Sequence, residues 1–198
     1  MTTFCSVADI DAFLHIPIEQ WHSAQRAIEE ATAAIQNYCH QHLAYVANDT
    51  ITLDSSGSPV LLLPELPVLS VRSVTEDGIL LDPTEYKLGA SGFLWRVGRN
   101  WTSGIQVVTV IYDHGYIVIP EVIVAVCTRA AARAYQAGLR AEEAGGVPGV
   151  QSTSLGDYSV AFGSEQSVGA GEALLGASAA PMLLRSEMAM LNNYRVKP

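Results

Sequence analysis

The chain has little cysteine, few basic residues and no long apolar run, and each shortage excludes a class of protein. Its three cysteines, Cys5, Cys39 and Cys127, lie far apart without a CxxC pair, so we expect free thiols in a reducing compartment. Twenty acidic residues against 11 basic ones give a net charge of -9, which argues against a protein that grips the outside of DNA. No stretch reaches the ~18 apolar residues of a membrane span, and the N-terminus has no signal-peptide pattern, so we expect a soluble intracellular protein.

The sequence also lacks a catalytic or cofactor-binding signature. Asp113 and His114 form an adjacent acid-imidazole pair, but the Gly-x-Ser-x-Gly elbow of a serine hydrolase is absent, and the pair more simply turns the chain. Cys39 and His42 have the spacing of two metal ligands on one helix face, yet two further ligands are missing. We therefore predict no enzyme, no cofactor and no metal, with a small cytosolic hydrolase that uses His114 as the rival interpretation.

Two helices are predicted at the start of the chain. Ser6 can cap a helix over residues 6–16, with Asp9 three residues on. From Ile18, apolar residues recur every three or four positions and predict a helix over residues 18–46. The small residues Ala24 and Ala31 on this seam would let another helix approach closely, either from the same subunit or from a neighbour.

Short β-type runs then replace the helical pattern between residues 50 and 116. Turn signals such as Asp77-Gly78 and Ser103-Gly104 separate them, which is typical of an antiparallel sheet. The last run, residues 105–112, is apolar on both faces, so we expect one face to pack on helix. The predicted strands cover residues 50–53, 60–63, 68–75, 86–88, 93–97 and 105–112.

Pro120 marks the start of a further helix over residues 120–144. Arg129, Arg133 and Arg140 form a basic stripe along it, which is either a solvated face or a contact with another subunit. Charge favours the second alternative: residues 1–50 hold six acidic residues and one basic residue, so this acidic part of one copy could face the basic stripe of the next.

The remaining chain is predicted as an arm and a terminal helix. Residues 147–180 are rich in Gly, Ser and Ala and predict a flexible arm, with a possible strand over residues 158–162. Residues 181–198 predict an amphipathic helix and tail that either docks into a partner's groove or folds back on its own domain. The expected fold is α+β: a long-helix bundle with an inserted antiparallel β block, forming a core over residues 1–146, and an arm ending in a helix.

The order of a long N-terminal helix, an antiparallel β block and a Pro-initiated helix resembles the head-tail connector (adaptor) family of tailed bacteriophages. The resemblance extends to about Gly146. It is carried by residues 7–14, 27–39 and 67–74, by Tyr86, residues 92–94 and Trp101, and most specifically by residues 108–116 with Pro120-Glu121.

The resemblance implies a structural protein without enzymatic activity. Such a protein forms a dodecameric ring under the portal protein, extends the channel through which DNA passes without sequence recognition, and offers a surface to the next head-completion or tail protein. It assembles in the host cytoplasm and resides at the head-tail junction of the virion, without a membrane partner. The alternative within the same class is another head-completion protein or a tail terminator. The hypothesis for the subunit interface comprises Arg129, Arg133, Arg140, Ala24 and Ala31, and that for portal docking comprises Leu184, Met188, Leu191, Tyr194 and Arg195.

Overall fold

The chain folds into a helical layer and a β block, as the predicted α+β class requires. The computed structural model describes residues 2–15, 17–89, 91–143, 152–155, 158–161 and 182–196. Its helices are α1 (Val7–Leu14), α2 (Trp21–Cys39), α3 (Glu121–Glu143) and α4 (Arg185–Leu191). Its strands are β1 (Val46–Ser55), β2 (Val60–Leu62), β3 (Val68–Glu76), β4 (Ile79–Leu80), β5 (Tyr86–Leu88), β6 (Phe93–Arg96), β7 (Gly104–His114), β8 (Ser152–Leu155) and β9 (Tyr158–Ala161).

Helix α1 begins with the cap that the sequence predicts. The Ser6 hydroxyl accepts a hydrogen bond from the Asp9 amide (3.3 Å), and the Ser6 amide donates to the Asp9 carboxylate (2.7 Å). The amides of Ser6 and Asp9 at the helix start are thereby satisfied. The helix ends at Leu14, and the backbone of the next residue, His15, is left-handed (φ 55°).

Helix α2 is shorter than the predicted helix over residues 18–46. It ends at Cys39 because His40 takes a left-handed conformation (φ 55°). Beyond it, Leu43 and Tyr45 exchange main-chain hydrogen bonds with Tyr116 at the end of the β block, so the chain there is extended. This pairing between distant residues overrides the helical periodicity of the sequence.

The helical core is formed chiefly where α2 packs against α3. Small side chains on both helices, including Ala24 and Ala31 on α2 and Ala130 on α3, are fully buried there and permit close packing. Ala24 and Ala31 therefore belong to the core of their own subunit, and the isolated chain exposes neither of them for the predicted subunit interface. Trp21, at the start of the same seam, is instead 64% exposed.

The β block consists of two antiparallel sheets. The larger has the order β1-β7-β3-β4 and the smaller has the order β2-β6-β5. All six predicted strands are present, whereas the short edge strand β4 was not predicted. The buried face of β7, with Val108, Val110 and Tyr112, packs in one core with Leu61 and Leu94 of the small sheet. This face of β7 therefore packs on the small sheet and not on a helix.

A buried ion pair joins the two sheets. Arg96 of β6 donates from Nε to Glu76 of β3 (3.1 Å) and from Nη1 to the Glu85 carbonyl (2.7 Å), and its side chain is fully buried. The Thr102 amide donates to the other Glu76 oxygen (2.7 Å). Burial alone would raise the pKa of Glu76, but the hydrogen bonds from Thr102 and the charge of Arg96 lower it.

The C-terminal part differs in detail from the prediction. The predicted strand over residues 158–162 is found as β9, and it pairs with β8, which was not predicted. Helix α4 begins at Arg185 rather than at Pro181, and a 3-10 turn over Asn192–Tyr194 follows it. The predicted flexible arm lies mostly outside the described residues. None of the described helices is long and apolar enough to cross a membrane.

Candidate functional site

The C-terminal segment, residues 182–196, is anchored on α3 by a buried carboxylate. Glu187 is 3% exposed, and its two oxygens accept hydrogen bonds from Nη1 and Nη2 of Arg133, both at 2.7 Å. Arg133 also donates to the Met182 carbonyl (3.0 Å). Burial alone would raise the pKa of Glu187, but the hydrogen bonds from Arg133 and from the Leu184 amide lower it below its usual value.

A second anchor joins the same segment to the end of α2. The Tyr38 hydroxyl donates to the Asn192 side chain (2.6 Å), and the Val196 amide donates to the Cys39 carbonyl (3.0 Å). The Arg195 guanidinium lies over the Tyr38 ring at 5.5 Å from its centroid. Main-chain, side-chain and cation-π contacts thus hold the segment against the end of α2 in its own domain.

These contacts engage most of the residues predicted to dock on the portal. Leu191 is fully buried in the helical core, and Met188 and Tyr194 pack against that core. Leu184 and Arg195 are exposed, although the Arg195 guanidinium lies over the Tyr38 ring. The sequence left open whether this segment docks into a partner's groove or packs on its own domain. In the described structure it packs on its own domain.

The three arginines of the predicted basic stripe on α3 have different surroundings, because one of them binds Glu187. Arg133 is held by Glu187, and Arg129 donates from Nε to the Ala125 carbonyl of its own helix (3.0 Å) and lies beside the Met190 sulfur (3.8 Å). Arg140 is exposed. Only Arg140 of the five residues predicted for the subunit interface therefore lies fully on the surface.

The small sheet carries an apolar outer face that sequence reasoning did not single out. In β6, Phe93 and Trp95 point outward while Leu94 and Arg96 point into the core. Leu62 of β2 lies opposite Phe93 in the register and points the same way. Leu62, Phe93 and Trp95 are 45%, 40% and 48% exposed. The signal was present in the sequence, since the run of residues 93–95 is apolar at every position and therefore supplies both faces of a strand.

A second apolar surface projects from the loop between β7 and α3. Ile117 and Val118 are 75% and 81% exposed. The preceding residue, Tyr116, is fixed by main-chain hydrogen bonds with Leu43 and Tyr45. The two side chains are therefore presented to solvent next to a well-anchored part of the backbone.

Asp113 and His114 are the last two residues of β7, not a turn as predicted. The Asp113 carboxylate accepts hydrogen bonds from Arg72 Nη2 (2.7 Å), Ser70 Oγ (2.8 Å) and the Asn48 amide (2.8 Å). These bonds, chiefly those from Arg72, hold the pKa of Asp113 well below its usual range. The carboxylate thereby ties β1, β3 and β7 together.

The geometry does not assemble a catalytic triad from these residues. His114 is buried and its Nε2 lies 3.2 Å from Asp49, whereas Ser70 is hydrogen-bonded to Asp113 and not to the imidazole. A serine nucleophile needs its own hydrogen bond to the histidine base. The hydrogen bonds described for Asp113 and His114 are to residues of the neighbouring strands β1 and β3.

The described residues also bring together no group of three potential metal ligands. Burial raises the pKa of the Cys39 thiol to about 11, which disfavours the thiolate that a metal would need. His42, the other predicted ligand candidate, lies beyond the end of α2.

The described residues form two packed sheets and a helical layer, and they leave several apolar side chains exposed. The chain belongs to the head completion protein family, whose model matches residues 3–129. This match confirms the family of phage structural proteins that the sequence resembles. It ends within α3, so the anchored C-terminal segment lies beyond it.

Solved structures with a similar fold come from gene transfer agent (GTA) particles. The neck of the native particle, computed with C12 symmetry, contains a chain with 15% identity and a TM-score of 0.52, over 97% of this chain and 88% of that one. The neck of the empty particle, computed with C6 symmetry, gives 14% identity and a TM-score of 0.54, over 97% and 89%. The virion of the native particle gives 13% identity and a TM-score of 0.51, over 96% and 88%. A search of curated proteins found no match.

Proposed function

We propose that copies of this chain form a ring at the head-tail junction that completes the head and continues the DNA channel from the portal toward the tail. The observation that carries this proposal is the family match over residues 3–129, which spans the β block and most of the helical core. The similar chains in necks of twelvefold and sixfold symmetry support a closed ring, with twelve copies as the expected number.

In this proposal, each subunit contacts the next copy of the chain in the ring through the apolar outer face of its small sheet. Subunits related by rotation in a ring contact each other through two different surfaces, and the buried centre of such a contact is usually more apolar than its rim. Phe93, Trp95 and Leu62 form such a centre, and aromatic side chains are enriched in interfaces. Arg140 remains available at the surface and would set register more than affinity.

The portal contact is assigned to the outer side of the anchored C-terminal segment. Leu184 and Met190 are exposed there, and Arg195 supplies a positive charge, while the opposite side holds to α2 and α3. Residues 1–146 would then form the connector core, with residues 181–198 as its portal-facing attachment. The other end of the ring would meet the next head-completion or tail protein.

The channel wall is proposed to be neutral or negative, and the protein is proposed to have no catalytic activity. A net charge of -9 supports a wall that does not retain DNA during its passage. The hydrogen bonding of Ser70 to Asp113 rather than to His114 supports a structural use of these polar residues.

The test compares two exposed tryptophans by the same substitution. Trp95→Glu should keep the circular dichroism spectrum and abolish rings, both free and on portal-bearing heads, as seen by mass photometry and electron microscopy. Trp21→Glu, at an exposed position in the first turn of α2 where a carboxylate is tolerated, should leave the rings intact.

The possible outcomes separate the two parts of the proposal. Rings that persist in Trp95→Glu would refute the assigned surface but not the function. A native chain that never joins portal-bearing heads and instead binds isolated tails would refute the connector function in favour of a tail terminator.

A further inference from the structure

Cys5 and Cys127 meet in the helical core although 122 residues separate them. Their sulfur atoms lie 3.2 Å apart, and both side chains are buried. Cys5 belongs to the N-terminal segment ahead of α1, and Cys127 lies on α3. Most buried cysteines act as single small hydrophobes, so two thiols in direct contact are a distinct feature.

The surroundings hold both sulfurs in this position. The Thr32 hydroxyl of α2 lies 3.6 Å from the Cys127 sulfur, and the same hydroxyl accepts a hydrogen bond from the Phe4 amide (3.4 Å). The N-terminal segment is thus fastened between α2 and α3 beside the thiol pair. The fixed position of Cys5 keeps its sulfur within reach of the Cys127 sulfur.

We propose that Cys5 and Cys127 are a redox pair that closes to a disulfide when the protein meets an oxidising low-molecular-weight disulfide. The structure shows the reduced state, and a bond of about 2.05 Å requires the sulfurs to approach by roughly 1 Å. The closed bond would join the N-terminal segment covalently to α3. A reduced pair suits assembly in a cell, and an oxidised pair suits a released particle.

The exchange proceeds in two steps with oxidised glutathione as the oxidant. Because Cys127 is fully buried, the N-terminal segment first opens locally; the Cys127 thiolate then attacks one glutathione sulfur, forms a mixed disulfide and releases one glutathione thiolate. The Cys5 thiolate then attacks the Cys127 sulfur, forms the protein disulfide and releases the second glutathione. Two cysteines lose two electrons and two protons in total, and one oxidised glutathione becomes two reduced molecules.

The experiment counts thiols in the purified full-length chain. Native protein and protein refolded from denaturant are each equilibrated with oxidised glutathione. The exchange is then stopped, the protein is denatured, and its free thiols are titrated with a thiol reagent. We expect the count to fall from three thiols to one, with a peptide linking Cys5 to Cys127 in the digest. The oxidised protein should melt at a temperature higher by about 5 °C or more, and a reductant should reverse this shift.

Alanine variants identify the partners because alanine fits helical core positions. Cys39→Ala, which removes the other buried thiol, should still form the link and end with no free thiol. Cys127→Ala should end with two free thiols and no change in melting temperature on oxidation. Three thiols persisting in both preparations of the native chain, a link through Cys39, or dimers joined between chains would each overturn the proposal. Because these readouts do not use ring formation, they are independent of the proposed function.

Discussion

At the residue scale, the end of β7 shows how one position can dictate a local fold. Gly115 has φ 85°, and a Cβ added there would lie 2.3 Å from the Ala44 carbonyl oxygen. Its amide donates to the Pro67 carbonyl (2.9 Å), so the backbone cannot easily withdraw. Glycine is needed for both the left-handed conformation and the close approach of the two chain segments.

Gly115→Ala should therefore destabilise the protein by well over 1 kcal/mol, because the added methyl group meets backbone atoms and not a movable side chain. Gly138→Ala provides the matched control. Gly138 lies in α3 with no atom within 4 Å of an added Cβ, and alanine should stabilise the helix there by about 0.5–1 kcal/mol. Chemical denaturation of both variants gives the two values, and equal effects would contradict the argument.

Glu187 gives the C-terminal anchor a dependence on pH. Its pKa is lower in the folded state than the usual 4.5, so the ionised anchor stabilises the fold above that value. The contribution is lost as the pH falls below about 4.5 and through the lower folded pKa. Hydrogen exchange of residues 182–196 should accelerate over this range more than exchange of the β block.

Arg133→Met tests the same anchor at neutral pH, since it leaves the Glu187 carboxylate buried without its partner. We expect a loss of about 2–3 kcal/mol, reduced from the value for a fully buried pair because Arg133 is partly exposed. Arg140→Met on the exposed surface of the same helix should change stability by no more than about 0.5 kcal/mol. Equal losses in the two variants would show that the ion pair does not hold the segment.

At the element scale, the sequence predicts the strands better than the helix ends. Turn pairs such as Asp77-Gly78 separate the strands locally, so the strand positions follow from neighbouring residues. The end of α2 depends on Leu43 and Tyr45 pairing with Tyr116, about 70 positions away in the chain, and no local pattern contains that information. For the same reason, the amphipathic pattern of residues 181–198 predicts a buried face without saying what covers it.

The C-terminal segment is expected to stabilise the subunit that carries it. Truncation after Ala180 removes the buried side chains of Leu183 and Leu191, each contributing about 1.5–3 kcal/mol, together with the ion pair to Arg133. The truncated protein should melt at a markedly lower temperature than the full chain. Leu184→Ala, which trims an exposed side chain of the same segment, should leave the melting temperature nearly unchanged. An unchanged midpoint after truncation would contradict the fold-back.

At the scale of the whole molecule, the sequence predicts the family but not which apolar surfaces stay exposed. The family could be predicted from the order of helix, β block and helix, because that order survives in the pattern of the sequence. Of the residues predicted for the subunit interface, Ala24 is buried in the helical core and Arg133 is bound to Glu187 of the same chain, whereas the exposed pair Phe93 and Trp95 was not singled out from the sequence. Periodicity finds an apolar face, but only packing decides whether the same subunit covers it.

The net charge of the chain predicts that it binds duplex DNA only weakly. Tight binding to duplex DNA needs clustered cations that release counterions from phosphates, and this chain has 20 acidic and 11 basic residues. Several of its arginines are already engaged within the fold, with Arg72 on Asp113, Arg96 on Glu76 and Arg133 on Glu187. The purified protein should therefore show no binding to a short duplex tighter than about 10⁻⁴ M at physiological salt, the weak end of nonspecific binding. Fluorescence anisotropy over a salt series measures this, with a basic DNA-binding protein as the positive control. Micromolar affinity that falls steeply with salt would show that the subunit carries a cationic DNA-facing surface and would refute the proposed neutral or negative channel wall.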